Sequence, residues 1–185
     1  MTRWFGWLRF PGWLVGRKLQ QQRAGPEFRV AEDIRFAYVP RTIELRSDAF
    51  RDGEPLSAAE SSPPLEWRNV PGETKKLALV MEDVDVPFPR PLVHAIAYDV
   101  DPSATAIAAG ALDGTQVTMG YNGSGHRGYV VPAPLPGQGA HRYYVTLLAI
   151  DFAPSFDQPP TRASLLDAIA GHVLALGETH FTAER

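Results

Sequence analysis

Residues 77–87 read LALVMEDVDVP. Leu77 to Met81 is a short apolar run of the kind a buried strand shows. Glu82-Asp83-Val84-Asp85-Val86-Pro87 follows it directly, so this strand delivers two aspartates to the start of a loop. Carboxylates in such a turn can bind metal, accept protons, or take hydrogen bonds from loop amides and so hold the loop's shape. For any single Asp the last role is the commonest.

On either side lie further strand-like runs. Thr42 to Arg46 alternates apolar and polar residues as an edge strand does, Leu92 to Val100 reads LVHAIAYDV, and Tyr143 to Ile150 reads YYVTLLAI, rich in β-forming types. Between the last two lies a Gly- and Pro-rich stretch, residues 119–142, of a kind that is functional or tightly packed inside a compact domain. Sixteen Gly and 17 Pro spread over 185 residues favour many short strands joined by shaped loops over a helical bundle. One C-terminal helix is expected, docked on the sheet. Thr161 follows Pro159-Pro160, Ser164 and Asp167 have capping-box spacing, and Leu165, Ile169, His172, Val173 and Leu176 recur on one face before Gly177. His172 sits at the margin of that face, packed or partly exposed rather than a ligand. The fold class is therefore mainly β, with few helices.

Composition closes several routes. The chain has no Cys, which excludes disulfides, thiolate metal sites and a cysteine nucleophile. A formal net charge of −3 gives no reason to expect nucleic acid as partner. The charge is uneven: Arg3, Arg9, Arg17, Lys18 and Arg23 give residues 1–25 a charge of +5, leaving −8 on the remainder. The same segment carries Trp4, Phe5, Trp7, Phe10 and Trp13. Arg9 and Pro11 interrupt its apolar run, so it reads neither as a secretory signal nor as a membrane span, which needs about 18 apolar residues in a row. Two readings remain: it lies on an anionic membrane surface, or it packs on its own domain or a second subunit. Residues 26–41 read as a connector, so the division expected is 1–41 as extension plus connector and 42–185 as the domain. A cytoplasmic location follows from the lack of a signal, with peripheral membrane contact through residues 1–25.

Three places could carry chemistry: the acids after Met81; His94, among Leu92, Val93, Ala95 and Ile96; and Gly139-Ala140-His141-Arg142-Tyr143, where a Gly-rich loop delivers three polar side chains to a strand. A His among apolar neighbours is most often a satisfied core residue. If the three places converge, carboxylate, imidazoles and phenol would share one pocket, each able to hydrogen-bond a phosphate or carboxylate oxygen. No close His pair marks a metal site, no G-x-S-x-G elbow marks a serine hydrolase, and Gly120 to Gly125 is followed by no Lys-Ser/Thr pair. No metal and no cofactor is called for.

Taken in order, these pieces resemble the phosphatidylethanolamine-binding protein family, in its bacterial Raf kinase inhibitor-like branch. Ser62-Pro63-Pro64-Leu65-Glu66-Trp67 is similar to its S-P-P-L-x-W, and residues 77–87 to its apolar strand followed by D-P-D-x-P. Val93-His94 is similar to its strand histidine, followed by Gly120-x-Asn122-x-x-Gly125-x-x-Gly128-Tyr129 and Pro132-x-Pro134. Gly139-x-His141-Arg142-Tyr143 resembles its G-x-H-R-Y, and Leu147 to Asp151 its L-x-A-x-D. The likeness runs from about residue 42 to 177. Three positions depart from the pattern: Val84 and Leu135 stand where proline is usual, and Ala95 replaces a bulky residue.

The resemblance implies an antiparallel, Greek-key type β domain with a small anion pocket able to hold a phospholipid headgroup. It places Asp83, His94, His141 and Tyr143 in the pocket and Pro132 and Pro134 at its rim, with Asp85 and Arg142 bracing the loops. Asp83 would orient or charge a histidine, since a neighbouring carboxylate raises a histidine's pKa. The function expected is binding of a small phosphate-like anion or headgroup, with a regulatory role toward a protein partner and no chemical step. Two alternatives stand beside it: a hydrolase using His94 and His141 as acid and base, and an assembly subunit acting through its N-terminal extension.

Overall fold

The computed structural model describes residues 23–56 and 61–185. Most of the aromatic, basic start, residues 1–22, lies outside the described residues, and with it most of the segment expected to touch a membrane. Among the described residues seven strands form two antiparallel sheets. β1 (Glu44–Arg46), β2 (Leu65–Arg68) and β5 (Ala106–Ile107) make a small sheet in the order β1-β2-β5. β3 (Lys76–Asp83), β4 (Leu92–Val100), β6 (His141–Ile150) and β7 (Val173–Ala183) make a larger one in the order β4-β3-β6-β7.

The apolar run that opened the analysis is the centre of this larger sheet. β3 is hydrogen-bonded on both sides and buried on both faces, which is why it reads as continuous rather than alternating hydrophobicity. Leu77, Leu79 and Met81 face the small sheet and pack with Leu45, Leu65, Trp67 and Ile107. Ala78 and Val80 face the other way, into a second core with Val30, Phe36, Leu165 and Ile169.

That second core corrects the reading of residues 26–41 as a connector. The segment folds into three 3-10 turns, Pro26–Phe28, Val30–Glu32 and Ile34–Phe36, and buries Val30, Ala31 and Phe36 against the sheet. It is locked there by a buried carboxylate. Glu82 accepts from the Val30 backbone N–H at 2.8 Å and from Arg162 Nε at 2.5 Å, while Arg162 Nη2 donates to the Phe28 carbonyl at 2.7 Å. Three short turns leave no helical or strand period to read.

The C-terminal helix is shorter than expected. α1 spans Arg162–Ala168, and its capping box pairs Thr161 with Ser164 rather than Ser164 with Asp167. Gly171, at φ +80°, turns the chain, and the residues expected to extend the helix form β7 instead. Ala175 and Leu176 point into opposite cores, as strand neighbours must. Ten of the eleven residues of β7 pair along the whole of β6 and satisfy far more backbone than two more helical turns would, so tertiary pairing overrides a chance period of four. His172 stays exposed, its Nδ1 2.9 Å from Asp151. Among the described residues no helix is long and apolar enough to cross a membrane.

Candidate functional site

Register brings the chemistry together. Asp83, last residue of β3, lies opposite Tyr143 on β6 and opposite Leu92 on β4, so the acids, the strand histidine and the H-R-Y run meet at one end of the sheet. A cavity of about 310 Å³ opens there, lined by Asp83, His94, His141 and Tyr143, by Gln138 and Pro134, and by apolar side chains at its mouth. That size lies at the lower end of small-molecule sites, about 300–1,000 Å³.

Each polar group is held from behind. His94, 3% exposed, sends Nδ1 to the Val130 carbonyl at 2.6 Å. A carbonyl only accepts, so Nδ1 carries the proton, and in the neutral ring Nε2 is a bare acceptor. That Nε2 is buried without a partner. His141 is fixed the same way by a different acceptor, Nδ1 lying 2.8 Å from Asp83 Oδ2. Asp83 thus orients His141, and the expectation that a carboxylate charges the pocket histidine does not extend to His94. Burial, only partly offset by the Val130 bond and by Asp83, and assisted by His141, holds His94 below its ordinary pKa.

Tyr143 stands edge-on to His94, ring centroids 5.0 Å apart, and stacks on Phe181. Burial first, then the Asp83 carboxylate by its charge and by a loose hydrogen-bond contact, pushes its hydroxyl well above the usual tyrosine range, so it stays a protonated donor; the contact with Asp83 falls short of full hydrogen-bond geometry, and the hydroxyl is otherwise buried without a partner. Gln138 completes the set. The Leu135 N–H donates to its Oε1 at 3.1 Å, and its Nε2 is buried and unpartnered.

Asp85 and Arg142 stand behind the pocket. Arg142 gives Asp85 its backbone N–H and Nε at 2.9 Å each and Nη2 at 2.7 Å, and Arg23 Nη1 adds a further bond at 2.7 Å. Burial alone would push this carboxyl up, but the bonds from Arg142 and Arg23 outweigh it and bring it down to about 2. Asp85 in turn donates its own N–H to Asp83 Oδ1 at 2.8 Å, so brace and pocket share a hydrogen-bond chain ending at His141.

The structure gathers five of the six residues read as ligand-binding; Pro132 is half-buried outside the lining. Gln138 was missed, although a polar side chain between Gly137 and Gly139, three residues before His141, was a usable signal. Two of the three departures prove constructive. Val84 donates its N–H to the Arg142 carbonyl at 3.2 Å and Leu135 pins Gln138, bonds that proline could not make.

Among the described residues five buried side-chain nitrogen or oxygen atoms lack a hydrogen bond of full geometry, and three of them, His94 Nε2, Tyr143 Oη and Gln138 Nε2, are on residues that line this cavity. A larger hollow of about 510 Å³, lined by Asp113, Thr115, His126 and Arg127 among others, contains none. Among the described residues no three His, Asp or Glu side chains are grouped to hold a metal ion.

A family model described as phosphatidylethanolamine-binding protein matches residues 46–184. A UPF0098 protein of Chlamydia muridarum is 35% identical over 153 residues, which is 77% of this chain and 99% of that protein. Another UPF0098 protein, from Methanothermobacter thermautotrophicus, is 35% identical over 142 residues, 71% of this chain and 92% of its own. Among solved structures, a phosphatidylethanolamine-binding protein homologue from Chlamydia trachomatis superposes with a TM-score of 0.71 at 34% identity, over 78% of this chain and 99% of that one. The Escherichia coli protein YbcL has the same TM-score and coverage at 22% identity, a likeness of fold alone.

Proposed function

The chain belongs to the phosphatidylethanolamine-binding protein family, and from that premise we propose that its pocket binds a small phosphate-type anion, as a free ion or as a phospholipid headgroup, without making or breaking a bond. The carrying observation is that three residues lining one cavity, His94, Tyr143 and Gln138, each hold a buried side-chain polar atom without a hydrogen bond of full geometry. Each such atom costs about 1–3 kcal/mol of unreplaced hydration. Tyr143 Oη and Gln138 Nε2 are donors as they stand. His94 Nε2 becomes a third when the ring is protonated, and an anion placed against it favours that form.

The sign of the pH dependence follows. Burial holds His94 below its ordinary pKa, so at neutral pH its bare Nε2 faces an anion's lone pairs. Binding is then coupled to proton uptake and strengthens as pH falls below the ordinary histidine range, near 6.5. The test is calorimetric titration of glycerophosphoethanolamine, whose diester charge is constant over this range, and of inorganic phosphate. Saturable binding is expected to be tighter at pH 5.5 than at pH 7.5 and weakened in Gln138→Leu and His94→Ala. No saturable heat with either probe in the wild type refutes the anion reading. Affinity independent of pH removes the imidazolium from it.

A further inference from the structure

Asp83 poses an electrostatic problem for an anion pocket. Its carboxylate lines the cavity, and among the described residues no lysine or arginine lines it. While the imidazoles are neutral, an entering phosphate meets an uncompensated negative charge, and the repulsion is strong where water is excluded. The offsetting charge has to come from behind the lining. Asp85 and Arg142 stand there, but as an ion pair they cancel each other. Arg23 does not cancel. Its Nη1 donates to Asp85 Oδ1 at 2.7 Å, the same oxygen that Arg142 Nη2 reaches at 2.7 Å, so two guanidinium groups share one carboxylate. With Arg23 in place the charges of Asp83, Asp85, Arg142 and Arg23 balance; without it one negative charge is left over beside the cavity.

The backbone next to Arg23 is tied to the loop on both sides of Asp85. Ala24 N–H donates to the Val86 carbonyl at 2.9 Å and Gly25 N–H to the Val84 carbonyl at 3.0 Å. Gly25, at φ +97°, then turns the chain away, and Val30 N–H reaches Glu82, the residue before Asp83, at 2.8 Å. Residues 23–30 therefore strap the stretch that carries Asp83, bonding to Glu82, Val84, Asp85 and Val86. Val86 itself lines the cavity, and Asp85 passes the hold on to Asp83 through its own N–H at 2.8 Å. The strap lies before the stretch 46–184 that matches the family, so its charge and its grip are additions to the matched domain.

From the shared Asp85 oxygen, the two flanking backbone bonds and the charge balance together, we propose that Arg23 is a positioning residue of the anion pocket. It supplies the positive charge that offsets Asp83 and, through Asp85, holds the loop on which the Asp83–His141 pair depends. The proposal rests on the anion reading for what enters the pocket and on the strap alone for the hold on the loop. Coupling of this kind is reciprocal, so an anion in the pocket tightens residues 23–25 in return.

Full-length Arg23→Gln and Arg23→Lys test both roles. In calorimetric titration with inorganic phosphate at pH 7, Arg23→Gln is expected to bind about three- to tenfold more weakly than the wild type, the effect of one charge acting over a partly screened distance. Arg23→Lys keeps the charge and loses only the fork, so it is expected to recover most of that affinity. Amide hydrogen exchange followed by NMR reads the strap directly. In the wild type, phosphate is expected to slow exchange at Ala24 and Gly25. The amide of Ile43, bonded to the Leu176 carbonyl away from the pocket loop, is expected to stay unchanged. Without ligand, Arg23→Gln is expected to speed exchange of the Asp85 N–H several-fold and to leave Ile43 as in the wild type, which separates a loosened loop from a destabilised fold. Equal phosphate affinity in the wild type and Arg23→Gln overturns the charge role, as does an Arg23→Lys no better than Arg23→Gln. Equal exchange at Asp85 overturns the positioning role. If phosphate gives no saturable heat in the wild type, the anion reading falls, and exchange at Asp85 alone decides whether Arg23 holds the loop.

Discussion

Replacing Asp85 by Asn tests the brace behind the pocket. In the wild type its carboxylate receives four bonds from Arg23 and Arg142, with distances from 2.7 to 2.9 Å, and its side chain is fully buried. Those bonds bring the carboxyl from an ordinary 3.8 down to about 2. At about 1.4 kcal/mol per tenfold change in proton affinity, the ionised form gives the native state about 2 kcal/mol near neutral pH. A carboxyl lowered in the native state contributes in full above its unfolded value and loses the contribution as pH falls through its native value. Asn cannot ionise, so Asp85→Asn is expected to unfold about 2 kcal/mol more easily at pH 7, with about half of that gap left at pH 3 and about a sixth at pH 2. Urea unfolding followed by tryptophan fluorescence measures the gap, and Trp67, buried in the main core, is a suitable reporter. All other acids titrate alike in both proteins, so the difference isolates this one. The hydrogen-bond chain through Asp83 to His141 adds a second readout, a drop in phosphate affinity at neutral pH. A gap that does not change between pH 7 and pH 3 would refute the assignment of this energy to the ionised Asp85.

Tyr143→Phe removes a buried hydroxyl that makes no hydrogen bond of full geometry, only a loose contact with Asp83. The empty protein is expected to be unchanged or stabilised by up to about 1 kcal/mol, while phosphate affinity falls several-fold; thermal unfolding with and without phosphate separates the two, and a clear loss of stability in the empty form would show that the hydroxyl has a structural partner. Gly177→Ala places a Cβ 2.3 Å from the Ile43 carbonyl oxygen, a backbone atom with little room to move, and is expected to cost about 1–3 kcal/mol. Gly72→Ala, with nothing within 4 Å, is expected to be neutral in the same urea experiment; equal effects would contradict the close approach of β7 to the chain before β1.

Much of the site was legible because it lies on strands whose periods are strong. Leu92 to Val100 is β4 residue for residue, and the apolar run at Leu77 to Met81 lies inside β3. Asp83, His94, His141 and Tyr143 sit at or near the ends of such runs, so ordered motifs could place them at one edge of a sheet. Gln138 escaped because its role is set by one bond, from Leu135 N–H, that no periodicity encodes. The apolar mouth of the cavity escaped for the same reason: Phe88, Val131 and Leu135 are far apart in sequence and come together only after β3, β4 and β6 align.

The C-terminal segment shows the limit most clearly. Leu165, Ile169, Val173 and Leu176 satisfy a helical spacing, yet only the first turns are helical, and from Val173 onward the chain pairs with β6. Residues 26–41 have no period at all, and their burial is decided by Glu82 and Arg162, from β3 and α1. By itself the sequence determined the class of fold, the buried central strand and the polar residue types delivered to its end, because those depend on local pattern and composition. Only the tertiary structure decided which imidazole meets Asp83, which polar atoms are left without partners, and which edge of the domain the basic N-terminal segment joins. Those are matters of register and of distances between segments remote in the chain, and strand pairing fixes them only once the two sheets and both cores have closed.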